Sequence, residues 1–162
     1  MDSHRTEQDW NDWLAANAAR FLLFARQQTR CGQDAEDVLQ EALVEAWKRV
    51  GGQPDNALVY ATIRRRAIDL GRRSQRREAR EQASEPPQFL INHPDDEDTT
   101  RLLEKELKRL PPQQREVLTL KFWGGLTFAE VAATLEIPQG TAASRYRMAL
   151  DSLRQTLTTM LT

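Results

Sequence analysis

Apolar side chains recur every three or four residues along most of this chain, and that spacing predicts amphipathic α-helices. In the first half the pattern predicts three helices, over residues 7–28, 34–50 and 56–80. Asp34 is a good N-cap for the second helix, because its carboxylate can accept from the free N–H groups of the first turn. The apolar positions are Trp10, Leu14, Ala18, Phe21 and Ala25, then Val38, Leu39, Ala42, Leu43, Ala46 and Trp47, then Val59, Ile63, Ala67 and Leu70.

A further helix is predicted directly after Leu110. Pro111 and Pro112 suit its first turn, where a missing N–H has no cost, and Gly124 and Gly125 end it. The residues that follow the prolines at helical spacing are Val117, Leu118, Lys121 and Phe122.

The last two helical patterns predict a helix-turn-helix, whose second helix enters the major groove of DNA. Thr127 and Glu130 form a capping box, so a short helix should begin at Phe128. Pro138 separates it from the final helix, because the residue before a proline is pushed out of the helical region. In the final helix Ala142, Tyr146, Ala149, Leu153 and Leu157 face the core, Ser144, Arg147, Met148 and Asp151 face outward, and Arg145 flanks the core. The competing interpretation is a plain helical hairpin with solvated arginines.

Charged residues form blocks of alternating sign, although the formal net charge is only −1. Residues 61–80 hold eight basic and two acidic side chains, whereas residues 81–98 hold six acidic and no basic ones. Three prolines and five acids in residues 82–100 predict an acidic linker between two helical domains. Such blocks imply different partners for different stretches, because a field of one sign attracts its opposite.

Two faces in the first half are candidate binding surfaces. Asp37, Gln40 and Glu41 share the outward face of the second helix, which is either simply solvated or docks on a basic partner. The third helix carries an arginine strip that suits phosphate contacts. Its members are Arg65, Arg66, Arg72, Arg73, Arg76 and Arg77. The competing interpretation is a salt-bridged surface, since Asp69 can pair with arginines four residues to either side.

Composition argues against several classes of protein. Cys31 is the only cysteine, so neither an internal disulfide nor a thiolate zinc site can form, and His4 and His93 have no metal-binding constellation near them. No nucleophile, acid–base pair or phosphate loop is visible, so we expect no enzyme activity, cofactor or metal. No apolar run approaches the roughly 20 residues that span a bilayer, and the polar N-terminus lacks a targeting pattern, so we expect a cytoplasmic protein without membrane insertion.

The chain resembles the extracytoplasmic-function group of bacterial sigma-70-type factors in segments that follow the family's order. These segments are residues 34–47, 67–73, 110–118 and 137–141, followed by Ser144 and Arg145. The resemblance implies an all-α fold with an N-terminal helical bundle in residues 1–81, an acidic linker in residues 82–100 and a C-terminal helix-turn-helix domain in residues 101–162. It also implies an RNA polymerase sigma factor, which binds core polymerase and directs promoter recognition and transcription initiation.

The resemblance assigns a role to three groups of side chains. Core polymerase would contact Asp34, Asp37, Gln40 and Glu41. The minus-ten element of promoter DNA would contact Arg64, Arg65, Arg66, Arg72 and Arg73, and the minus-thirty-five element would contact Thr141, Ser144, Arg145 and Arg147. An anti-sigma protein is left open as a further partner. The alternative function is a stand-alone helix-turn-helix transcriptional regulator.

Four positions depart from the family's pattern. Leu58 and Arg65 stand where Trp and Asn are frequent near the minus-ten helix, and Ala143 stands where a Lys is common in the recognition helix. Glu136 stands where the turn usually has Gly, which predicts a backbone conformation that suits glycine better than glutamate. These departures predict that this chain differs from other family members in how it recognises promoter DNA.

Overall fold

The computed structural model describes residues 3–78 and 105–161, and within these residues all regular structure is helical. Helix α1 spans Ser3–Gln28, α2 spans Gly32–Val50 and α3 spans Asn56–Glu78. Residues 105–109 are helical, α4 spans Pro112–Leu118 and continues as a π-helical turn over Thr119–Trp123, α5 spans Phe128–Leu135 and α6 spans Gln139–Leu161. The predicted all-α fold, with an N-terminal bundle and a C-terminal helix-turn-helix, is confirmed. The predicted acidic linker, residues 82–100, lies outside the described residues.

The N-cap of α2 is Cys31, so the prediction that Asp34 caps this helix is wrong. Cys31 is extended, with φ −141° and ψ 161°, and its Sγ accepts a hydrogen bond from the backbone N of Asp34 at 3.5 Å. The helix therefore begins at Gly32, and Asp34 lies inside its first turn. There its negative charge still favours the helix, because the N-terminal end of a helix carries a partial positive charge.

The helices of the N-terminal bundle, α1 to α3, pack around a group of buried aromatic side chains. Tyr60 of α3 is fully buried and meets Phe21 and Phe24 of α1 edge-on, with ring centroids 5.0 and 5.4 Å apart. Burial raises the pKa of the Tyr60 hydroxyl well above its usual range. The start of α3 is fixed by a hydrogen bond of 3.2 Å that Trp13 Nε1 donates to Asn56 Oδ1. These contacts set the direction of α3, which carries the arginine strip.

The helix-turn-helix unit, residues 105–161, has a smaller core of its own. That core contains Leu107, Leu110, Leu118 and Ala149. Arg115 of α4 supports it by donating hydrogen bonds to the backbone carbonyls of residues 107, 108 and 110, at 2.9, 3.1 and 3.0 Å. Burial lowers the pKa of Arg115 from its ordinary value, but a guanidinium stays protonated in proteins. Arg115 is therefore a structural cation.

The π-helical turn after α4 changes which side chains face the core. Its backbone bond runs from the N of Gly124 to the O of Thr119, five residues back, at 2.9 Å. The additional residue in this turn rotates the chain, so that Leu120 is fully buried. Phe122, which the helical spacing aligned with the buried Leu118, is instead 62% exposed.

The predicted capping box at the start of α5 is confirmed. The N of Glu130 donates to Thr127 Oγ1 at 3.1 Å, and the N of Thr127 donates to Glu130 Oε1 at 3.0 Å. Two N–H groups that the helix itself leaves free are therefore satisfied. This cap sets where the first helix of the helix-turn-helix begins.

Replacing Thr127 by alanine should lower the free energy of unfolding by about 1 kcal/mol, because one N–H of α5 then loses its acceptor. Urea unfolding followed by circular dichroism measures this change. The matched control is Thr127→Ser, which keeps the hydroxyl and should stay within a few tenths of a kcal/mol of the parent chain. Equal unfolding midpoints for all three chains would contradict a stabilising role for the cap.

The two halves of the described chain share one buried core. Helix α3 packs against α5, and α1 packs against the π-helical turn. A single cluster of buried apolar residues contains members of both halves. From the bundle these include Phe24, Tyr60 and Ile63, and from the helix-turn-helix unit Val117, Leu120, Val131 and Leu135. The helices that carry the predicted binding residues are thus held against each other.

Candidate nucleic-acid and polymerase interfaces

The acidic face of α2 is defined by Asp34, Asp37, Gln40 and Glu41, the side chains predicted to dock on polymerase. Asp37, Gln40 and Glu41 are exposed, and Asp34 is half-buried. Asp34, Asp37 and Glu41 line one groove between α2 and α3. Gln40 lies along the neighbouring groove, where it borders Val44, an apolar side chain that is 53% exposed. The fold therefore presents the predicted group on one outer side of the bundle.

Two arginines of α3 turn toward this acidic face. Arg65 forms an ion pair with Glu45, and Arg66 donates to Glu41 at 2.8 Å and to Glu45 at 3.4 Å. Sequence reasoning missed Glu45, although it lies one turn after Glu41 and its spacing of four residues places it on the same side of α2. Glu41 of the predicted polymerase surface is therefore ion-paired with Arg66 of the predicted minus-ten surface.

These pairs are partly solvated, and that limits what they contribute. The side chains of Arg65 and Arg66 are 50% and 32% exposed, and surface ion pairs of this kind are worth about 0 to 1 kcal/mol. Such weak pairs orient the guanidinium groups but do not prevent them from binding another acceptor. A phosphate, which accepts charge-assisted hydrogen bonds from arginine, can replace a carboxylate at this position.

The other predicted minus-ten arginines divide between two sides of α3. Arg64 turns toward the helix-turn-helix unit and pairs with Glu116 of α4 at 3.1 Å. Arg72 lines a cleft between α3 and α5, whereas Arg73 lines the groove between α3 and α2. The structure thus brings Arg65, Arg66 and Arg73 to the acidic groove, and Arg64 and Arg72 to the other side. The side chains of Arg76 and Arg77 lie outside the described residues.

The predicted minus-thirty-five residues lie within the first nine residues of α6. Ser144 and Arg147 are exposed, while Thr141 and Arg145 are half-buried. Met148 is 55% exposed on the same outer part of the helix, as its spacing predicted. Hydroxyl and guanidinium groups can bond base edges or phosphates, and an apolar side chain can contact a thymine methyl group. This end of α6 therefore offers both the polar and the apolar side chains that a recognition helix needs.

The turn before α6 has the backbone conformation that its sequence predicted. Glu136 has φ 55° and ψ 48°, in the left-handed region where glycine is the usual residue. Its backbone N–H bonds to the carbonyl of Ala132, and the N of Ile137 bonds to the same carbonyl at 3.0 Å. The turn of the helix-turn-helix is therefore retained even though this position carries a side chain.

Residues 3–78 and 105–161 also bear on metal binding and on membrane insertion. No group of three or more His, Cys, Asp and Glu side chains there could hold a metal ion. None of the helices in that part of the chain is both long and apolar enough to cross a membrane. Cys31 is half-buried, and its thiol serves as the cap of α2.

Comparison with known proteins identifies both halves of the chain. The model of Sigma-70 region 2 matches residues 13–77, and the model of Sigma-70 region 4 matches residues 100–153. An RNA polymerase sigma-E factor of Streptomyces avermitilis is 31% identical over 160 residues, which cover 96% of this chain and 88% of that protein. An ECF RNA polymerase sigma factor, RpoE, of Cereibacter sphaeroides is 30% identical over 161 residues, covering 94% of this chain and 88% of the relative.

A solved structure shares the fold over nearly the full length. It is the sigma factor RpoE of Bartonella quintana in complex with the anti-sigma factor NepR, with a TM-score of 0.72 and 22% identity. The match covers 93% of this chain and 98% of the RpoE chain. The chain therefore belongs to the extracytoplasmic-function group of the sigma-70 family, the RNA polymerase sigma factors that direct promoter recognition and transcription initiation.

Proposed function

We propose that this chain binds core polymerase through the acidic face of α2 and contacts promoter DNA through α3 and the first turns of α6. The observation that carries this proposal is the placement of the predicted groups. Asp37 and Glu41 are exposed on the bundle, and Ser144 and Arg147 are exposed on a separate helix-turn-helix unit. One chain thus offers a protein-docking surface on the bundle and a DNA-reading surface on the helix-turn-helix unit, apart from it.

In this mechanism the chain supplies recognition and polymerase supplies the chemistry. Arginine contacts with phosphates position the complex and make its affinity salt-dependent. Contacts with base edges add discrimination of about 1 to 3 kcal/mol for each well-formed pair. Because polymerase holds both DNA-contacting regions, binding at one element raises the effective concentration at the other. Neither region then needs to bind tightly alone.

The site of action and a further class of partner follow from the relatives. Their names describe RNA polymerase sigma factors, which supports action in the cytoplasm beside polymerase and chromosomal DNA. The structural relative was solved with an anti-sigma factor bound, which supports a partner of that class for this chain as well.

The test of the proposal is transcription from a random promoter library. The purified chain is mixed with sigma-free core polymerase, and the 5′ ends of the transcripts are sequenced. We expect defined start sites that share two upstream sequence elements, and no defined starts with core polymerase alone. If the chain gives no defined starts and instead shifts duplex DNA by itself, it acts as a stand-alone helix-turn-helix regulator.

A further inference from the structure

Glu45 of α2 brings two arginines of α3 together at a single oxygen. Its Oε2 accepts a hydrogen bond from Arg65 Nη2 and another from Arg66 Nε, the latter at 3.4 Å. Arg66 also donates through Nη1 to Glu41 Oε2 at 2.8 Å. These four side chains form what we call the charge cluster. Its two carboxylates lie one turn apart on α2, and its two guanidinium groups belong to consecutive residues of α3.

The charge cluster joins two surfaces to which the proposed function gives different partners. Glu41 belongs to the acidic face that docks on polymerase, whereas Arg65 and Arg66 belong to the group that contacts the minus-ten element. Glu45 belongs to neither group. Its side chain is 35% exposed and that of Glu41 is 61% exposed, so Glu45 is the more recessed of the two carboxylates. A basic partner surface can reach Glu41 more easily than Glu45, and Arg66 keeps one carboxylate when Glu41 is engaged.

The groove around the charge cluster is rich in negative charge. Five acidic side chains and three arginines line it, between α2 and α3. An arginine that turns into this groove therefore meets carboxylates where it could otherwise bind a DNA phosphate. Guanidinium groups form the same kind of charge-assisted hydrogen bond with either anion. The carboxylate of Glu45 and a DNA phosphate thus compete for Arg65 and Arg66.

The pairing with Arg65 depends on a position where this chain departs from its family. Arg65 stands where asparagine is frequent, and an asparagine side chain has no charge to pair with Glu45. The arginine adds one more cation to the predicted DNA-contacting helix, and each phosphate contact by a cation raises the affinity for DNA of any sequence. Glu45 lies where its negative charge offsets that addition.

From these observations, and resting on the proposed function, we infer that Glu45 is a positioning residue for the minus-ten arginines. It holds Arg65 and Arg66 toward α2 and thereby weakens their contacts with DNA phosphates. Because phosphate contacts supply essentially all of the affinity for DNA of any sequence, Glu45 reduces non-specific binding. A closely fitting promoter can still displace Glu45, because ion pairs of this exposure are weak.

Binding of the free, full-length chain to a short duplex DNA of random sequence tests this inference. Glu45→Gln removes the charge and keeps the size of the side chain. We expect it to raise the affinity for this DNA by about 3- to 10-fold, because two weak ion pairs no longer compete with phosphates. The slope of log affinity against log salt should steepen by about 0.9 for each arginine that gains a phosphate. Loss of a merely structural contact would not strengthen DNA binding.

Two controls separate the role of the arginines from the change in net charge. Glu36→Gln removes one carboxylate from an exposed position of the same helix, outside the charge cluster, and should raise the affinity by less than about twofold. In a background with Arg65→Gln and Arg66→Gln, Glu45→Gln should have no larger effect than Glu36→Gln, because the side chains through which Glu45 acts are missing. Thermal unfolding checks that all of these chains are folded.

Three results would overturn the role of Glu45. They are an affinity of the Glu45→Gln chain for random DNA no higher than that of the parent, equal affinities for the Glu45→Gln and Glu36→Gln chains, and an undiminished effect of Glu45→Gln when Arg65 and Arg66 are replaced. The parent chain is assayed in parallel for transcription with core polymerase. Absence of defined start sites contradicts the proposed function, whereas defined start sites together with any of the three results contradict the role of Glu45 alone.

Discussion

Reversing the charges of Asp37 and Glu41 to lysine should weaken binding of core polymerase by at least about a hundredfold. Both carboxylates are exposed one turn apart on the acidic face of α2, where a basic partner surface would meet them together. Placing like charges against each other in an interface costs several kcal/mol, and about 2.7 kcal/mol corresponds to a hundredfold change in the dissociation constant.

The same substitutions should leave the fold intact. Glu41 gives up its ion pair with Arg66, but that pair is partly solvated and worth about 0 to 1 kcal/mol. The change of affinity therefore reports on docking rather than on unfolding. Thermal unfolding of the double variant should stay within a few degrees of the parent chain.

Titration of labelled chain with sigma-free core polymerase, at two salt concentrations, measures the effect. The matched control is the double variant Asp9→Lys and Asp12→Lys, which makes the same change in net charge at exposed positions of α1. It should bind polymerase with nearly the affinity of the parent chain. Equal affinities for the two double variants would remove Asp37 and Glu41 from the proposed docking surface.

Features set by chemistry a few residues apart could be predicted from the sequence. The capping box needs only Thr127 and Glu130 three residues apart, and the structure has both of its hydrogen bonds. The left-handed turn at Glu136 follows from its place between the end of α5 and Pro138 before α6, and its φ is 55°. In each case a short stretch of chain contains all the groups that decide the conformation.

Features that depend on distant residues could not be predicted in this way. The π-helical turn has Thr119 bonded to Gln27 of α1 and Gly124 placed against Tyr60 of α3, two contacts between widely separated parts of the chain. The apolar stripes predicted correctly that Ile63 faces a core. A stripe does not say which helix it packs against, and for that reason the core shared by the two halves was not foreseen.

The candidate sites also divide into features that local spacing predicts and features that depend on distant residues. The spacing of Asp37, Gln40 and Glu41 predicted one exposed face, because α2 is a regular helix whose other side is buried. The arginines of α3 follow each other by about 100° per residue, so Arg64 and Arg66 reach different neighbours. Which of them meets Glu116 and which meets Glu41 depends on the packing of α3 between α2 and the helix-turn-helix unit. The roles of these side chains in binding remain predictions.

Removing the guanidinium groups of Arg145 and Arg147 together should lower transcription from promoters with both elements by about 30-fold or more. Each well-formed base contact contributes about 1 to 3 kcal/mol, so two of them correspond to at least about 2 kcal/mol. The exposed position of Arg147 and the half-buried position of Arg145, close to the start of α6, suit side chains that reach into a groove. Binding of core polymerase should be unchanged, because α2 is untouched.

The double alanine variant is compared with Arg154→Ala, a second exposed arginine of α6 that lies two turns further along the helix. The control should transcribe like the parent chain. Promoters with altered minus-thirty-five bases then separate two kinds of contact. If the arginines bond base edges, the double variant loses its preference between these promoters and keeps most of its salt dependence. If they bond phosphates, the preference survives, and the slope of log affinity against log salt falls by about 0.9 for each lost contact. Full activity on the parent promoter would place the minus-thirty-five contact elsewhere in the helix-turn-helix unit.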